Sequence, residues 1–347
     1  MYIVLNPVKP MYIDRGNNSI RMGNFKCNGK EVLFETEDIL KLFLKLKKPI
    51  LKDELIMQMK NETNNSTEEI IEVLDYLMYE GFIIDYESYQ NLLKDEKYNR
   101  QNLYFYMLSN SVIKNVSSDK KVLILGVGGI GSIVMELLVR SGFEDFTIVD
   151  NDVVEQSNLI RQLAYFNDDI NKLKVDAMRD NMLKINSKLK IETVNRMIFN
   201  ETDILDKIKN TDFVVCTLDR PLRKIRRVIN NACVQLNKPV LFTGFSEHVA
   251  MVGPFVVPGE SACLNCIENG TLDEYLDNIK VIPSYGPLCT LIASIAVNEI
   301  INYFIKFRTD NLIGKTLMFD MNDYDIKIES WTKNKKCKIC GDKHEGK

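Results

Sequence analysis

Glycines punctuate the segment KVLILGVGGIGSIVMELLVRSG, in which an apolar run is followed by an amphipathic one. This spacing lets a nucleotide approach the backbone of a strand-to-helix turn, where the helix N-terminus supplies amide donors and a positive dipole end. The glycines are Gly126, Gly128, Gly129 and Gly131. Because the pattern alone suits NAD- and FAD-binding domains as well as ATP sites, it predicts a nucleotide without saying which one.

A carboxylate and a group of polar side chains follow the glycines. Asp150 ends the next apolar run, nineteen residues after Gly131, where a carboxylate can accept hydrogen bonds from both ribose hydroxyls. The segment DVVEQSNLIRQ then brings Asn158, Arg161 and Gln162 just beyond the ribose position. A simple dinucleotide site does not require these residues. Polar and cationic groups at this place favour the binding of phosphates.

Four of the eight cysteines form two CxxC pairs, Cys263 with Cys266 and Cys337 with Cys340. In a reducing compartment such pairs indicate metal or redox chemistry rather than a disulfide framework. Four thiolates make a closed tetrahedral zinc site, which leaves no open position for catalysis. We therefore expect structural Zn²⁺ here. A redox role is the alternative, but neither pair follows a strand into a helix N-terminus as in thioredoxin.

The elements that must position these residues alternate between strands and helices from Lys121 onward. Strands are predicted at KVLILG, FTIVD, KIETVN, DFVVCT and PVLFTG, with helices between them. This alternation predicts an α/β, Rossmann-like fold, in which a mostly parallel sheet carries helices on both faces. Later runs, AMVGPFVVPG, KTLMFDM and DIKIESW, predict an antiparallel extension. We assign residues 93–347 to this domain.

Residues 1–92 predict a separate, small α/β domain of winged-helix type. Short extended runs, MYIVL and KEVLFE, accompany three helical patterns. Thr36 and Ser66 stand where helix N-caps are expected, and Glu69 completes a capping box with Ser66. Gly81 ends the third helix before the extended run FIIDYE. The polar stretch NLLKDEKYNRQN is expected to link the two domains.

The bulk composition excludes some classes of partner. A formal net charge of -3 and a pI near 5.7 give no general attraction for phosphate backbones, so we expect no nucleic acid partner. The N-terminus lacks the basic head and apolar run of a secretory signal. The stretch LCTLIASIAVNEIINYFI contains Asn298 and Glu299, which favours a buried helix over a membrane span. We expect a cytoplasmic protein without a membrane partner.

Taken together, GxGGxG, DNDVVEQSNLIRQ, NKLKVD, VVCTLD and the CxxC pairs resemble the ubiquitin-activating superfamily, in its bacterial branch of ThiF/MoeB-like adenylyltransferases. The resemblance implies that Asp150 binds the ribose of ATP and that Asp219 coordinates Mg²⁺. The residues that it assigns to the triphosphate are Asn158, Arg161 and Lys174, with Gln162 supporting their loop.

These assignments have plainer alternatives. Asp219 could cap a helix that begins just after it, and Lys172 stands close enough to Lys174 to take its role. The basic run RPLRKIRR suits a solvated helix face, in which Arg220 or Arg223 are the candidates for reaching the nucleotide.

The linking stretch adds a prediction about assembly. EKYNRQN resembles the RYNRQ element of this family, whose second arginine reaches the neighbouring protomer's ATP site and corresponds here to Arg100. An arginine supplied by a partner would stabilise phosphate charge with planar, forked donors. The resemblance therefore implies a homodimer. The alternative is that Arg100 is only a linker charge.

The implied reaction is the activation of a carboxylate as an acyl-adenylate. Arg161, Lys174 and Mg²⁺ would neutralise the charge that grows as pyrophosphate leaves. No general base is needed, because a carboxylate is already ionised at neutral pH. Cys289 lies near a predicted helix start and could act as a nucleophile, but its surroundings favour packing.

The N-terminal pattern narrows the substrate. EVLFETEDILKLFLKL and EEIIEVLDYLMYEGFII resemble PqqD-type elements, which bind precursor peptides of ribosomally made natural products. The two parts in this order resemble microcin-C-type peptide adenylyltransferases, whose end product carries a nucleotide through a P–N bond. We expect a short ribosomal precursor peptide as substrate, with residues 268–287 covering its C-terminus. The alternatives are a sulfur-carrier protein of thiamin or molybdopterin synthesis, and a non-enzymatic, nucleotide-regulated peptide-binding module.

Overall fold

A computed structural model describes residues 1–24, 29–109, 111–112, 119–221, 224–268 and 283–341. The predictions for Arg223 and for residues 269–282 fall outside these ranges. The chain divides into two compact units, Met1–Lys114 and Asn115–Lys347.

The first unit combines small antiparallel sheets with helices. Its strands are β1 (Tyr2–Leu5), β2 (Met11–Asp14), β3 (Ser19–Met22), β4 (Lys30–Leu33), β5 (Ile50–Leu51) and β6 (Ile83–Asp85). Its helices are α1 (Glu37–Lys45), α2 (Lys52–Glu62), α3 (Thr67–Glu80), α4 (Tyr86–Leu93) and α5 (Asn99–Ser109). In the described ranges the strands form two sheets, ordered β5-β1-β6 and β2-β3-β4. Leu46, Leu55, Leu74 and Phe82 lie at the centre of the core between α1, α2 and α3.

The predicted signals at the ends of α3 are confirmed. The Glu69 amide donates to the Ser66 hydroxyl at 3.2 Å, and the Ser66 amide donates to the Glu69 carboxylate at 2.7 Å. Gly81 ends the helix with a φ of 78°, a conformation that a residue without a Cβ adopts readily. Thr36 is the N-cap residue of α1, as predicted, but its side chain makes no capping hydrogen bond within the described part of the chain.

The helices α4 and α5 belong to the first unit. The predicted extended run FIIDYE ends at Asp85, whose carboxylate accepts a hydrogen bond of 2.8 Å from a backbone amide in the first turn of α4. Tyr106 of α5 packs with Val4 of β1 and Leu92 of α4 in one apolar cluster. The polar stretch that we expected to link the domains therefore runs from α4 into α5, and the compact unit extends beyond residue 92.

The second unit is built on one large sheet, and its predicted α/β, Rossmann-like class is confirmed. Its strands are β7 (Lys121–Leu125), β8 (Asp145–Val149), β9 (Lys190–Val194), β10 (Phe213–Cys216), β11 (Val240–Ser246), β12 (Val249–Val256), β13 (Lys315–Asp320) and β14 (Ile326–Ser330). Its helices are α6 (Gly131–Arg140), α7 (Lys174–Ile185), α8 (Leu205–Lys209), α9 (Lys224–Gln235), α10 (Leu264–Glu268) and α11 (Gly286–Ile305).

The strand order creates a place for a ligand. As far as the described strands show, the order is β14-β13-β12-β11-β10-β7-β8-β9. The five strands β7 to β11 are mutually parallel, and β12 to β14 pair antiparallel. The chain runs from β7 outward to β9 and then returns to β10 on the other side of β7. Loops after β7 and β10 therefore diverge at this switch point and leave a crevice at the carboxyl edge.

The helix α11 is the apolar stretch that the sequence predicted to be buried. Of the described helices it is the one that could cross a membrane by length and composition, and 56% of its apolar window is buried inside the protein. It packs against α6, β11 and β12. Its Glu299 pairs with Arg308 and accepts a hydrogen bond of 2.8 Å from the Leu312 amide. Burial of this kind is typical of the core helix of a globular domain.

Candidate nucleotide cavity and four-cysteine cluster

A cavity of about 410 Å³ lies at the carboxyl ends of β7, β8 and β10. This is the edge at which parallel sheets bind ligands, and the volume is in the range of small-molecule sites. The predicted residues that line it are Gly126, Gly128, Gly129, Asp150, Arg161, Gln162, Lys174 and Asp219. The other lining residues are Ile130, Val149, Asn151, Asp152, Arg196, Met197, Ile198, Thr217, Leu218, Arg220, Phe245, Ser284 and Cys289.

The glycine loop after β7 is shaped by close approaches. Gly126 has a φ of 87°, and a Cβ at Gly131 would lie only 1.9 Å from the carbonyl oxygen of Gly126. A Cβ at Gly129 would lie 3.0 Å from the Sγ of Cys289. Gly131 therefore serves the turn from β7 into α6, whereas Gly128 and Gly129 face the cavity without side chains to fill it.

Asp150 is held rigidly at the end of β8. Its Oδ2 accepts a hydrogen bond from the Val127 amide and its Oδ1 accepts one from the Asp152 amide, each at 2.9 Å. The residue is only 9% exposed, and burial raises the pKa of its carboxyl although the charge of Lys174 acts to lower it. Each carboxylate oxygen retains a lone pair, so the group can still accept ribose hydroxyls.

The structure brings Lys174, rather than Lys172, to the cavity. Lys174 is the first residue of α7, and its buried Nζ lies 2.8 Å from Oδ2 of Asp152. Lys172 is exposed, and its ammonium group lies 3.0 Å from the carboxylate of Asp169. Lys174 therefore presents the positive charge that an anionic ligand would meet.

Of the three predicted residues in the loop after β8, Arg161 and Gln162 line the cavity and Asn158 does not. The Asn158 side chain accepts a hydrogen bond of 3.1 Å from the Glu155 amide, and Asn158 is absent from the described cavity lining. Its contact with phosphate stays a prediction. Arg161 lines the cavity and donates to the Ser157 carbonyl at 2.7 Å. Gln162 is 3% exposed, and its Oε1 has no hydrogen-bond partner within the described ranges.

Asp219 and Arg220 follow β10 and complete the rim of the cavity. Asp219 is exposed and lines the cavity, while α9 begins at Lys224. An N-cap residue precedes its helix directly, and neither Arg220 nor Pro221, which follow Asp219, is helical, so Asp219 is not the cap of a helix that begins just after it. Arg100 is exposed at the start of α5 in the first unit, and its role in a partner's site stays a prediction.

Sequence reasoning missed Asp152, Tyr165 and the position of Cys289. Asp152 pairs with Lys174, and the buried Tyr165 hydroxyl donates to the Val127 carbonyl at 2.8 Å. Cys289 is buried, as expected for packing, yet it lines the cavity. Burial raises the pKa of its thiol, although the Ser284 hydroxyl and the Arg161 charge lower it. The repeated aspartate in DND was the one visible signal for Asp152.

The four cysteines of the CxxC pairs form a compact cluster. Their sulfur atoms all lie within 4.8 Å of one another, with Cys263 to Cys337 at 3.7 Å and Cys266 to Cys340 at 3.3 Å. Four zinc–sulfur bonds of about 2.3 Å in tetrahedral geometry separate the sulfurs by about 3.8 Å. The donors therefore fit Zn²⁺, which would join the segment after β14 to α10.

Backbone amides donate hydrogen bonds to two of the sulfurs in the cluster. The Asn334 amide donates to the Cys266 sulfur at 3.4 Å. Burial opposes ionisation of Cys337, but hydrogen bonds from the Cys340 and Ile339 amides lower its pKa to about 7. Burial and neighbouring thiols raise the pKa of Cys263 and Cys340 instead, so zinc binding, which requires deprotonated cysteine, would release protons from these two thiols.

The second unit is thus an α/β, Rossmann-like domain with a nucleotide-sized cavity at the switch point of its sheet and a four-cysteine cluster beside the same sheet. The sequence profile of the ThiF family matches residues 98–340, and the chain belongs to this family.

Two curated relatives and one solved structure illustrate what the chain is similar to. It is 28% identical to the adenylyltransferase and sulfurtransferase MOCS3 of Caenorhabditis briggsae, over 71% of this chain and 60% of that protein. It is 24% identical to the molybdopterin-synthase adenylyltransferase of Escherichia coli K12, over 64% of this chain and 88% of that protein. The chain thus spans less than two thirds of the MOCS3 relative.

The fold of the whole chain resembles that of E. coli MccB in its crystal structure with AMPCPP and MccA. The TM-score is 0.80 at 23% identity, and the match covers 98% of this chain and 100% of that one. At this identity the likeness shows a shared fold.

Proposed function

We propose that this protein uses ATP and Mg²⁺ to adenylate the C-terminal carboxylate of a short ribosomally made peptide. The observation that carries the proposal is the convergence of Asp150, Arg161, Lys174 and Asp219 on one cavity. A ribose acceptor, two cations and an exposed carboxylate are the groups that binding and splitting a nucleoside triphosphate require.

The geometry suggests a division of labour in the reaction. Asp150 accepts hydrogen bonds from the ribose hydroxyls. Arg161 and Lys174 neutralise the charge of the phosphates while the substrate carboxylate attacks the α-phosphorus. The new bond joins the carboxylate oxygen to phosphorus, and the bond to pyrophosphate breaks. Asp219 would hold Mg²⁺, which supplies further positive charge to the leaving pyrophosphate. No proton must be removed from the nucleophile, because the carboxylate is already ionised.

The first unit supplies the argument for a peptide. Within its described strands, β4 pairs on one side with β3 and has no strand on the other. Lys30 of β4 forms an ion pair of 2.6 Å with Glu80 of α3, so this sheet edge lies beside that helix. Tyr76 and Tyr79 of α3 are 51% and 81% exposed. An extended peptide could add a strand to β4 and pack against such tyrosines.

The proposal extends to assembly and product. A homodimer would let the exposed Arg100 act in the partner's cavity, as the family resemblance implies. The protein would be cytoplasmic and would bind structural Zn²⁺ at its four cysteines. The acyl-adenylate could react further to a peptide–nucleotide P–N linkage in the synthesis of a peptide antibiotic.

Exchange of labelled pyrophosphate into ATP tests the function. Short synthetic peptides with a free C-terminus should support exchange, and the same peptides with a C-terminal amide should not, because they lack the nucleophile. Mass analysis of the peptide after incubation with ATP then identifies the bond formed. If no free-carboxylate peptide supports exchange, the peptide assignment fails.

A sulfur-carrier substrate is the second candidate, and the curated relatives favour it. E. coli proteins named molybdopterin-synthase adenylyltransferase and ThiS adenylyltransferase match 64% of this chain. A small protein ending in Gly-Gly should then support exchange when peptides do not. A complete lack of ATP turnover with both substrate classes would instead favour the non-enzymatic, nucleotide-regulated binding module.

A further inference from the structure

Tyr165 lies behind the nucleotide cavity, between the Arg161 loop and α7. It is 4% exposed and is absent from the described cavity lining. Its hydroxyl donates to the Val127 carbonyl at 2.8 Å and lies 3.3 Å from the Lys174 carbonyl. The hydroxyl thus lies within hydrogen-bond distance of the glycine loop and of Lys174, the residue whose ammonium group lines the cavity.

The Val127 residue is held from both of its backbone groups. Its amide donates to Asp150 at 2.9 Å, and its carbonyl accepts from Tyr165. With both groups fixed, the backbone that leads into Gly128 and Gly129 cannot rotate freely. Glycines have no side chain to resist rotation, so the restraint must come from such hydrogen bonds.

The surroundings keep Tyr165 a donor. Burial raises the pKa of its hydroxyl well above the ordinary value, and the negative charges of Asp150 and Asp169 act in the same direction. The phenol therefore stays protonated across the physiological range. Because it has one proton, it donates to one carbonyl at a time, and the Val127 carbonyl is the nearer acceptor.

We propose that Tyr165 is a positioning residue for the nucleotide phosphates, which fixes the glycine loop relative to Lys174 so that both act on the same phosphate chain. The inference rests on the proposed ATP-dependent function and deepens it. Tyr165 itself does not touch the nucleotide. Its loss should therefore weaken interactions with the phosphates, whereas Asp150 continues to hold the ribose.

Titration of Tyr165→Phe with Mg·ATP and, separately, with adenosine tests the proposal. The variant should bind ATP at least about tenfold more weakly than the wild type, because the Val127 carbonyl of the glycine loop loses its donor. Adenosine affinity should stay within about twofold, because Asp150 keeps the hydrogen bonds from the Val127 and Asp152 amides. Tyr303→Phe is the matched control, since Tyr303 is a partly buried tyrosine whose ring packs against Phe213 and Phe255. It should change neither affinity.

Three results would overturn the positioning role. They are unchanged ATP affinity in Tyr165→Phe, equal weakening of ATP and adenosine, or the same ATP-specific loss in Tyr303→Phe. A Tyr165→Phe variant that does not fold would also overturn the role, because Tyr165 would then stabilise the domain rather than position the phosphates. A wild-type protein that does not bind ATP would refute the proposed function as well, whereas normal ATP binding by the variants refutes only this inference.

Discussion

The nucleotide cavity and the cysteine cluster lie in the same unit but satisfy their polar groups in opposite ways. In the cavity, Asp219 is exposed and the buried Oε1 of Gln162 has no hydrogen-bond partner within the described ranges. In the cluster, the four thiols face one another, and Trp331 and Ile339 pack beside them against the apolar core. The cavity thus keeps polar groups available to a ligand that binds reversibly, whereas the four clustered thiols are a ligand set for a structural ion.

The backbone supports this difference. The cavity is bounded by loops after three strands and by a glycine turn, so its walls belong to separate segments. The cluster is anchored through α10, where the Leu264 amide donates to the Asn230 side chain at 2.9 Å. We infer that changes in the cavity will alter activity with little effect on stability, and that changes in the cluster will do the reverse.

Replacement of Asp219 by Asn should have the largest effect. We expect pyrophosphate exchange to fall by about a hundredfold or more, because the proposed Mg²⁺ ligand is weakened where negative charge develops. The melting temperature should shift by less than about 2 °C, since Asp219 is exposed. Asp168→Asn, at another exposed aspartate, is the control and should leave both quantities unchanged. Full activity in Asp219→Asn would contradict the magnesium assignment.

Replacement of Cys337 by Ser should lower stability and leave ATP binding nearly unchanged. With three thiolates left, the protein should lose bound zinc, and its melting temperature should fall by about 5 °C or more, because zinc binding contributes to folding. ATP affinity below the transition should change by less than about threefold. Cys233→Ala is the control: it removes a thiol outside the cluster and should retain the metal, as measured by elemental analysis. Retention of zinc by Cys337→Ser would refute the four-cysteine site.

Cys289 offers a smaller and more local test, because it is a thiol in the wall of the cavity rather than in the cluster. Its thiol is buried with a raised pKa, so iodoacetamide reaches it through the cavity and at alkaline pH. Mg·ATP should slow this alkylation about tenfold, as followed by mass analysis of the peptide that contains Cys289, because a bound nucleotide would cover the glycine loop against which the sulfur lies. Alkylation of Cys337 should not depend on ATP. Equal rates at Cys289 with and without bound ATP would show that the nucleotide lies elsewhere.

The same contrast explains what the sequence could predict. Local patterns were sufficient for the CxxC pairs, the capping box of α3, the alternation of strands and helices, and the placement of Asp150 at the end of a strand. They were insufficient where a contact joins distant segments. The pairing of Asp152 with Lys174 spans 22 residues, and the contact of Tyr165 with Val127 spans 38. No local sequence pattern predicts either contact.

Two further differences have the same origin. The polar residues of α4 and α5 predicted a linker. The contact of Tyr106 with Val4, which attaches α5 to the first unit, joins residues that are far apart in the sequence, so local composition could not reveal it. The family resemblance assigned Asn158 to the triphosphate; in the structure its side chain accepts a hydrogen bond from the Glu155 amide, and its contact with phosphate stays a prediction. Side-chain direction inside a loop depends on local hydrogen bonds that spacing alone does not specify.

The smallest predicted effect concerns the pH dependence of ribose binding. Burial raises the pKa of Asp150, so the carboxyl takes up its proton at a higher pH than an ordinary aspartate does. A protonated carboxyl has lost acceptor capacity. As the pH is lowered, adenosine affinity should therefore begin to fall at a higher pH than it would if Asp150 had the pKa of an ordinary aspartate. Adenosine is the suitable probe because it carries no phosphate that titrates in the same range.

Two variants sharpen this expectation and fix its sign. Lys174→Ala removes the positive charge that lowers the pKa of Asp150, so the fall in adenosine affinity should move to a still higher pH. Asp150→Asn should bind adenosine weakly, with no such pH dependence. A shift to lower pH in Lys174→Ala would mean that the lysine does not act on Asp150. That result would mean that the ribose-binding and phosphate-binding residues titrate independently, although the charge of Lys174 acts on the pKa of Asp150 in the structure.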